Sequence, residues 1–279
     1  MKDNAGRYIV HNCLIKENSD VQGFDVQKIS GKAAYEVIRI IDGVPLFFED
    51  HYNRLKITFN TIGKSLNMTA EQLTDSIMKL LSKNNVGNCN VKLLLFDEAG
   101  EQHQLTYISE SNYPTIVQSD EGVATGLLQI ERQNPNAKIL NKAYKDTVNA
   151  KITEGGYFEV ILVDRRGRIT EGSKSNMFFV KGDKILTAPG EHVLRGITRK
   201  YVIEACNNAG FEVVEKFIKA DEIDQTDGAF LSGTSIKVLP VKSVDHIVLD
   251  SSSNPVVKAV KSEYEKILRE YIENHVNIW

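Results

Sequence analysis

The sequence has little of several features that mark specialised proteins. Its 279 residues include three widely spaced cysteines without a Cys-x-x-Cys pair, which argues against a disulfide framework and against a structural zinc site. The 34 basic and 37 acidic residues nearly balance, so no basic surface for nucleic acid is expected. No apolar run has the length of a signal peptide or a membrane span. These absences predict a cytoplasmic, unanchored globular protein without a metal site.

The length of the chain allows two domains of ordinary size. Segments with strand-like and helix-like patterns are interspersed without strict alternation, which favours two α+β domains. The polar segment 111–122 is predicted to be a linker, and a boundary near residue 120 separates an N-terminal domain, 1–120, from a C-terminal domain, 121–279. The predicted strands are 35–41, 44–48, 91–96, 104–108, 123–131, 157–163, 177–180, 184–187 and 228–231, and the predicted helices begin near residue 49 and cover 73–81, 141–154, 198–209 and 256–275.

Two glycine-containing segments have the composition of an anion site. In 195–199 a glycine opens a predicted helix, whose first N–H groups and a threonine hydroxyl can bind phosphate. In 232–235 a predicted strand ends in a turn with three hydroxyl side chains. Each pattern alone is common, and the ordinary alternative is a helix cap and a strand-end turn.

Individual charged residues leave their roles open at this point. Arg54, on a predicted helix three residues after His51, is either a solvated surface residue or a bidentate phosphate ligand. Glu171 is either a turn residue or a buried acid that pairs with a ring nitrogen. A phosphate site, a ring-nitrogen partner and a lysine together are what pyridoxal phosphate requires. Local pattern does not choose among four lysines near one predicted helix, Lys138, Lys142, Lys145 and Lys151.

Six short motifs are spread over most of the chain. They are Tyr-Glu-Val-Ile-Arg at 35–39, His-Tyr-Asn-Arg-Leu at 51–55, Lys-Ile-Leu-Asn at 138–141, Thr-Glu-Gly-Ser-Lys-Ser-Asn at 170–176, Leu-Arg-Gly-Ile-Thr-Arg at 194–199 and Leu-Ser-Gly-Thr-Ser at 231–235. In order and approximate spacing they resemble the motifs of the fold-type IV pyridoxal-phosphate enzymes, a family that includes branched-chain aminotransferases, D-amino-acid aminotransferases and aminodeoxychorismate lyases. The resemblance implies an α+β fold with a smaller N-terminal α/β domain and a larger C-terminal domain built on a β-barrel-like sheet.

The resemblance assigns roles to individual residues. Lys138 matches the catalytic lysine that bonds covalently to pyridoxal 5'-phosphate and shuttles the α-proton of the substrate. Glu171 matches the catalytic acid that faces the pyridine nitrogen and makes the ring an electron sink. The residues that match the rest of the cofactor site, by packing on the ring or by holding the phosphate, are Leu194, Arg54, Ile197, Thr198 and Thr234. The residues that match the substrate pocket are Tyr35, Thr234 and Ser235.

The sequence departs from the family mainly where the substrate binds. D-Amino-acid enzymes hold the substrate carboxylate with an Arg-x-His motif, but no arginine lies between Arg54 and Arg132, so His103 has no such partner. Lys92 replaces the arginine of the Tyr-x-Arg motif that is usual in branched-chain enzymes, and Lys237 stands where many transaminases carry glutamate. These departures lie where the substrate is expected to bind and not where the cofactor is expected to bind. They are therefore expected to alter the substrate specificity relative to those enzymes.

The expected function is transfer of an amino group between an amino acid, branched-chain or otherwise apolar, and a 2-oxo acid. The first alternative is an aminodeoxychorismate lyase that releases pyruvate and 4-aminobenzoate, and the second is a D-amino-acid aminotransferase. A protein that binds the cofactor without turnover is the alternative from another class. The resemblance also implies a homodimer, and the expected partners are small-molecule substrates rather than nucleic acid or membranes.

Overall fold

The computed structural model describes residues 5–21, 29 and 33–278. The chain divides into two compact units, of which the first comprises 1–112, 137–142 and 269–279 and the second comprises 113–136 and 143–268. A short segment that includes Lys138 therefore belongs to the first unit although it follows residue 120. Along the sequence, the chain does not pass from one compact unit to the other at residue 120. The domain boundary near that residue stays a prediction.

An antiparallel sheet and two helices make up most of the described part of the first unit. In the long third strand every second side chain is buried, beginning with Ala34, because successive side chains of a strand point to opposite faces. These side chains share one hydrophobic core with the apolar faces of both helices. The elements are β1 (Tyr8–His11), β2 (Leu14–Glu17), β3 (Ala34–Ile41), β4 (Val44–Pro45), α1 (Phe48–Thr61), α2 (Ala70–Asn84), β5 (Cys89–Glu98) and β6 (Glu101–Ile108), and the strand order is β2-β1-β6-β5-β3-β4.

The prediction of a strand over 44–48 is wrong at its C-terminal end. The strand β4 has only two residues, and Phe48 already begins α1. Phe47, between them, has a φ of 55°, a left-handed conformation that ends an extended segment. The helix predicted near residue 49 is thereby confirmed, with its start one residue earlier.

A mixed nine-stranded sheet and four helices characterise the second unit. Its core joins apolar side chains from most of the strands, including Ile161, Phe179 and Leu231. The larger sheet confirms the prediction of an α+β chain whose later part is built on an extensive sheet. The elements are α3 (Ile116–Glu121), β7 (Val123–Gln129), α4 (Lys142–Gly155), β8 (Glu159–Val163), β9 (Ile169–Gly172), β10 (Asn176–Lys181), β11 (Lys184–Thr187), α5 (Ile197–Asn208), β12 (Glu212–Glu215), β13 (Gly228–Gly233), β14 (Lys237–Val244), β15 (Ile247–Val248) and α6 (Pro255–His275), and the strand order is β12-β11-β10-β13-β14-β7-β8-β9, with β15 on β14.

The segment 111–122 is not the plain linker that its polar composition predicted. It contains the short helix α3, which begins after a capping box. The Thr115 side chain accepts from the Gln118 N–H, and the Gln118 side chain accepts from the Thr115 N–H. Two N–H groups that a helix start leaves without backbone acceptors are thus satisfied, which stabilises a helix with no buried residue.

Within the described ranges, no helix combines the length and the apolar character needed to cross a membrane. The same ranges contain no cluster of three or more His, Cys, Asp or Glu side chains placed to hold a metal ion.

Candidate active site

Lys138 lies in the first unit, just before α4, with its backbone held on both sides. Its N–H donates to the Thr58 hydroxyl at 3.3 Å, and its carbonyl accepts from the Tyr35 N–H at 3.0 Å. Its ammonium nitrogen lies 4.8 Å from the centre of the Tyr35 ring. Because the backbone is fixed, only the side-chain stem can move the amine. The structure therefore brings together the predicted catalytic lysine and the predicted substrate-pocket tyrosine.

A second lysine lies against the same tyrosine ring. Lys92, on β5, is 8% exposed, and its nitrogen lies 5.3 Å from the centre of the Tyr35 ring and 5.6 Å from that of Tyr107. A cation over an aromatic face is stabilised by the negative face of the ring. The Tyr35 ring is thus in contact with the amines of both Lys138 and Lys92. Lys92 is the residue that stands in place of the arginine of the branched-chain motif.

Arg54 is held by a buried acid that the sequence analysis did not single out. Its Nε donates to Glu36 Oε1 at 2.8 Å and its Nη2 donates to Glu36 Oε2 at 2.5 Å. His51 Nδ1 lies 2.7 Å from the same Oε2 atom. A guanidinium has five N–H donors, so binding Glu36 through two nitrogens leaves the role of phosphate ligand chemically possible. We name Glu36, His51 and Arg54 the buried triad.

Burial and charge act in opposite directions on the acid of the triad. Burial alone would raise the pKa of Glu36, but the Arg54 charge and hydrogen bonds lower it to about 2, with a contribution from His51. Burial lowers the pKa of His51, the Glu36 carboxylate raises it, and the charges of Arg54 and Lys138 lower it again. Glu36 is therefore an anion at neutral pH. The signal that could have revealed it is an acid on the buried face of β3, shared with Ile38.

Glu171 lies near the end of β9 in the second unit and is buried, with 3% of its surface exposed. Its Oε2 accepts from the Leu194 N–H at 3.1 Å and from Asn176 Nδ2 at 3.4 Å. Arg132 Nη1 lies 3.4 Å from Oε1. A buried acid needs such donors and charges, and this excludes the alternative of a simple turn residue. Arg132 and Asn176 were not assigned roles from the sequence.

The start of α5 has the character expected of an anion site. Gly196 is its N-cap and no side chain caps it, so the first N–H groups are left for an outside acceptor. A Cβ on Gly196 would lie 2.3 Å from Asn176 Oδ1, so this close approach requires glycine. Ile197 and Thr198 are buried in the first turn, and the Thr198 and Tyr264 side chains share a hydrogen bond.

The turn after β13 contains the remaining predicted residues. Thr234 and Ser235 are half-buried there, between β13 and β14. Ser232, one residue before Gly233, has a buried hydroxyl oxygen without a hydrogen-bond partner among the described residues. Lys237, after the turn, pairs with both carboxylate oxygens of Glu265 at 2.8 and 3.0 Å. Glu265, on α6, therefore neutralises the charge of Lys237.

The predicted residues thus form two groups, one in each unit, and both fit pyridoxal 5'-phosphate. The first group offers a lysine amine beside an aromatic ring, and Arg54 as a phosphate donor. The second offers a buried carboxylate for a ring nitrogen, an uncapped helix start and, at Ser232, a buried hydroxyl without a partner among the described residues. A phosphate requires N–H and O–H donors of this kind, and a protonated pyridine nitrogen requires an acceptor such as the carboxylate. The predicted residues in the first unit are Tyr35, Arg54 and Lys138, and those in the second are Glu171, Leu194, Ile197, Thr198, Thr234 and Ser235.

Comparison with known proteins identifies the family. Residues 33–244 match the family model described as Amino-transferase class IV. The chain belongs to this family, and its cofactor is pyridoxal 5'-phosphate.

Individual relatives cover nearly the whole chain. A Methanocaldococcus jannaschii protein named "Putative branched-chain-amino-acid aminotransferase" is 26% identical, over 93% of this chain and 95% of its own. A D-alanine aminotransferase of Bacillus licheniformis is 29% identical, over 83% of this chain and 86% of its own. The branched-chain amino acid aminotransferase of Thermobaculum terrenum, solved with pyridoxal phosphate, has the same fold, with a TM-score of 0.82 at 21% identity over 99% of this chain and 97% of its own.

Proposed function

We propose that this class IV aminotransferase moves an amino group between a branched-chain or other apolar amino acid and a 2-oxo acid. The observation that carries the proposal is the placement of the Lys138 amine against the Tyr35 ring, which provides a base beside an aromatic side chain. Similarity over nearly the full length to the relative named as a branched-chain enzyme supports the same substrate class.

Lys138 is the proton carrier of the reaction. When bound, pyridoxal phosphate supplies a ring that accepts the electron pair left when the substrate α-carbon loses its proton. Lys138 Nζ would take that proton from the α-carbon of the substrate and pass it to the cofactor carbon that receives the amino group. Two hydrogen bonds hold the backbone of Lys138, one from its N–H to Thr58 and one from the Tyr35 N–H to its carbonyl. Because the backbone is held, the amine returns to the same place after each proton transfer.

Glu171 and the helix start of α5 would hold the ring nitrogen and the phosphate of the cofactor. The buried Glu171 carboxylate would keep the ring nitrogen protonated, because an anion in a buried site favours a cation beside it. Ile197 and Thr198 would hold the phosphate through their backbone N–H groups, with Arg54 and Thr234 as further donors. Leu194, which donates its N–H to Glu171, would pack against the ring.

The turn 233–235 binds the carboxylate of the substrate through the backbone N–H groups of residues that include Thr234 and Ser235, with the Ser235 hydroxyl as a further donor. These groups take the place of the Arg-x-His motif, which the sequence lacks. Because Glu265 neutralises Lys237, the turn does not present that ammonium as an unpaired charge. An uncharged substrate side chain is therefore favoured over an acidic one.

We also propose that the working unit is a homodimer in the cytoplasm. Homodimers are the commonest oligomers of soluble proteins. All three cysteines are free thiols, as expected in a reducing compartment.

The experiment that tests the function is a spectral titration of the purified enzyme with single amino acids. L-Leucine, L-valine and L-isoleucine should convert the absorbance of the pyridoxal form to that of the pyridoxamine form, with release of the matching 2-oxo acid. Conversion by D-alanine alone would contradict the proposal. It would instead indicate a D-amino-acid aminotransferase, the activity for which the Bacillus licheniformis relative is named. No conversion by any amino acid, with pyruvate released from aminodeoxychorismate, would instead identify a lyase.

A further inference from the structure

Glu159, at the start of β8, is a buried acid that the site described above does not use. Its residue surface is 4% exposed. Its Oε1 atom accepts three hydrogen bonds, from the Lys174 N–H at 2.6 Å, the Ser175 hydroxyl at 3.0 Å and the Ser173 hydroxyl at 3.3 Å. Burial raises the pKa of Glu159, and these donors act in the opposite direction. Placing a carboxyl group in this interior is costly unless it is hydrogen-bonded, so the three donors explain its presence.

The three donors belong to one connector, residues 173–175, that joins β9 to β10. Glu171 lies on β9 just before the connector, and Asn176 begins β10 just after it. The Asn176 amide donates to the Glu171 carboxylate at 3.4 Å. The connector thus follows Glu171 at one end and reaches it again through Asn176 at the other end. A shift of the connector therefore changes how the Glu171 carboxylate is held.

The connector is also packed tightly around Glu159. A Cβ on Gly172 would lie 2.7 Å from Glu159 Oε1 and 2.1 Å from the Ser175 hydroxyl, closer than real contacts allow. On the other side of the connector, the Tyr144 hydroxyl donates to the Ser173 carbonyl at 2.9 Å. The connector thus has one favourable path, and Glu159 supplies three of the bonds that define it.

We propose that Glu159 is a positioning residue, which holds the 173–175 connector so that Glu171 is aimed at the ring nitrogen of the cofactor. The proposal rests on the function proposed for Glu171. A positioning acid of this kind does not touch the substrate or the cofactor, and it acts only through the residues that it holds. Its loss should therefore affect the chemical step and the protonation of the bound cofactor more than the binding of the substrate.

The first test compares Glu159→Ala and Glu159→Gln with Ser251→Ala. Ser251 is a buried residue just before α6, and its hydroxyl accepts from the Ala229 N–H at 2.9 Å, so its variant loses a buried hydrogen bond that involves neither Glu159 nor the connector. Glu159→Ala should lower kcat roughly 10- to 100-fold, the size seen for outer partners of metal-site ligands, with little change in KM. Glu159→Gln keeps a carbonyl acceptor and should recover most of kcat. Ser251→Ala should lower only Tm.

The second test asks whether Glu159 acts through Glu171. The kcat losses of Glu159→Ala and Glu171→Gln should not add in the double variant, because residues that act as one unit are not additive. Both single variants should shift the pH midpoint of the absorbance of the bound cofactor in the same direction. If Glu159→Ala does not fold, Ser175→Ala removes one of the three bonds and should give the same changes at smaller size.

Three outcomes would overturn the proposal. Additive kcat losses, or a Glu159→Ala variant that loses Tm but keeps kcat and the pH midpoint, would make Glu159 merely structural while leaving the role of Glu171 intact. An unchanged kcat in Glu171→Gln would remove the proposed role of Glu171 itself, and the positioning role with it.

Discussion

The buried triad allows a stability prediction whose size follows from the structure. Glu36→Gln removes the negative charge that binds Arg54 and His51 without changing the shape of the side chain. The change leaves the Arg54 guanidinium, which is only 7% exposed, without its anion. Removing one partner of a buried ion pair costs about 3–5 kcal/mol, because the other charge stays buried and uncompensated.

The pKa of Glu36 gives an independent magnitude. The surrounding charges lower it from 4.5 to about 2, and each pKa unit between folded and unfolded states corresponds to about 1.4 kcal/mol. The ionised carboxylate therefore contributes about 3 kcal/mol to the free energy of unfolding at pH 7. Because the folded pKa is the lower one, this contribution is complete above about pH 4.5 and disappears as the pH falls toward 2.

The assay is urea unfolding, followed by circular dichroism, of the wild type and Glu36→Gln at pH 7 and at steps below pH 4.5. The difference between the two proteins should be about 3 kcal/mol at pH 7 and should shrink as the pH falls. Glu17→Gln is the control, since Glu17 pairs with Arg7 at an exposed site and such pairs contribute less than about 1 kcal/mol. A difference at pH 7 no larger than that of the control, or one that is independent of pH, would refute the reasoning.

Two further predictions concern single side chains. Lys138→Ala should abolish turnover and the visible absorbance of the lysine-bonded cofactor, while the exposed Lys145→Ala on α4 keeps both; a Lys138 variant with the parent absorbance would show that another lysine is used. Burial raises the pKa of Cys89 to about 11 and that of Cys206 to about 12, so in the native protein at pH 8 a disulfide reagent should modify only the half-buried Cys13, and rapid modification of two or three thiols before unfolding would contradict the packing.

The sequence predicted the elements that have strong patterns. The strand 35–41, the helix 256–275 and the capping box at the start of α2 agree with the structure to within a residue or two. The hairpin of β1 and β2 was not predicted, because its turn residues Asn12 and Cys13 adopt positive φ without a glycine and its second strand is largely exposed. A two-residue turn of this kind is ordinarily marked by Asn-Gly.

The sequence singled out site residues where they belong to a motif, and not where they are supported through space. Local pattern left the roles of Lys138 and Glu171 open, and only the resemblance of their motifs to the family assigned them, so both roles stay predictions. Glu36 and Glu159 could not be assigned, because their partners lie 15 or more positions away in sequence or in a connector whose path only the fold defines. The physical signal that both share is an acid at a buried position of a strand, on the buried face of β3 for Glu36 and at the start of the wholly buried β8 for Glu159.

Segments of the two compact units alternate along the sequence. This order has a consequence for truncation of the chain and for its folding during synthesis. The bridge between Ala34 and Ile139 joins residues about a hundred positions apart, so the first unit acquires its lysine only after part of the second has been translated. Closing so long a loop slows folding more than it weakens the final state. A fragment that ends near residue 120 would keep the sheet of the first unit and lose the segment that carries Lys138, the proposed catalytic residue. The lysine is thus local to Tyr35 in space while remaining one of its most distant partners along the polypeptide.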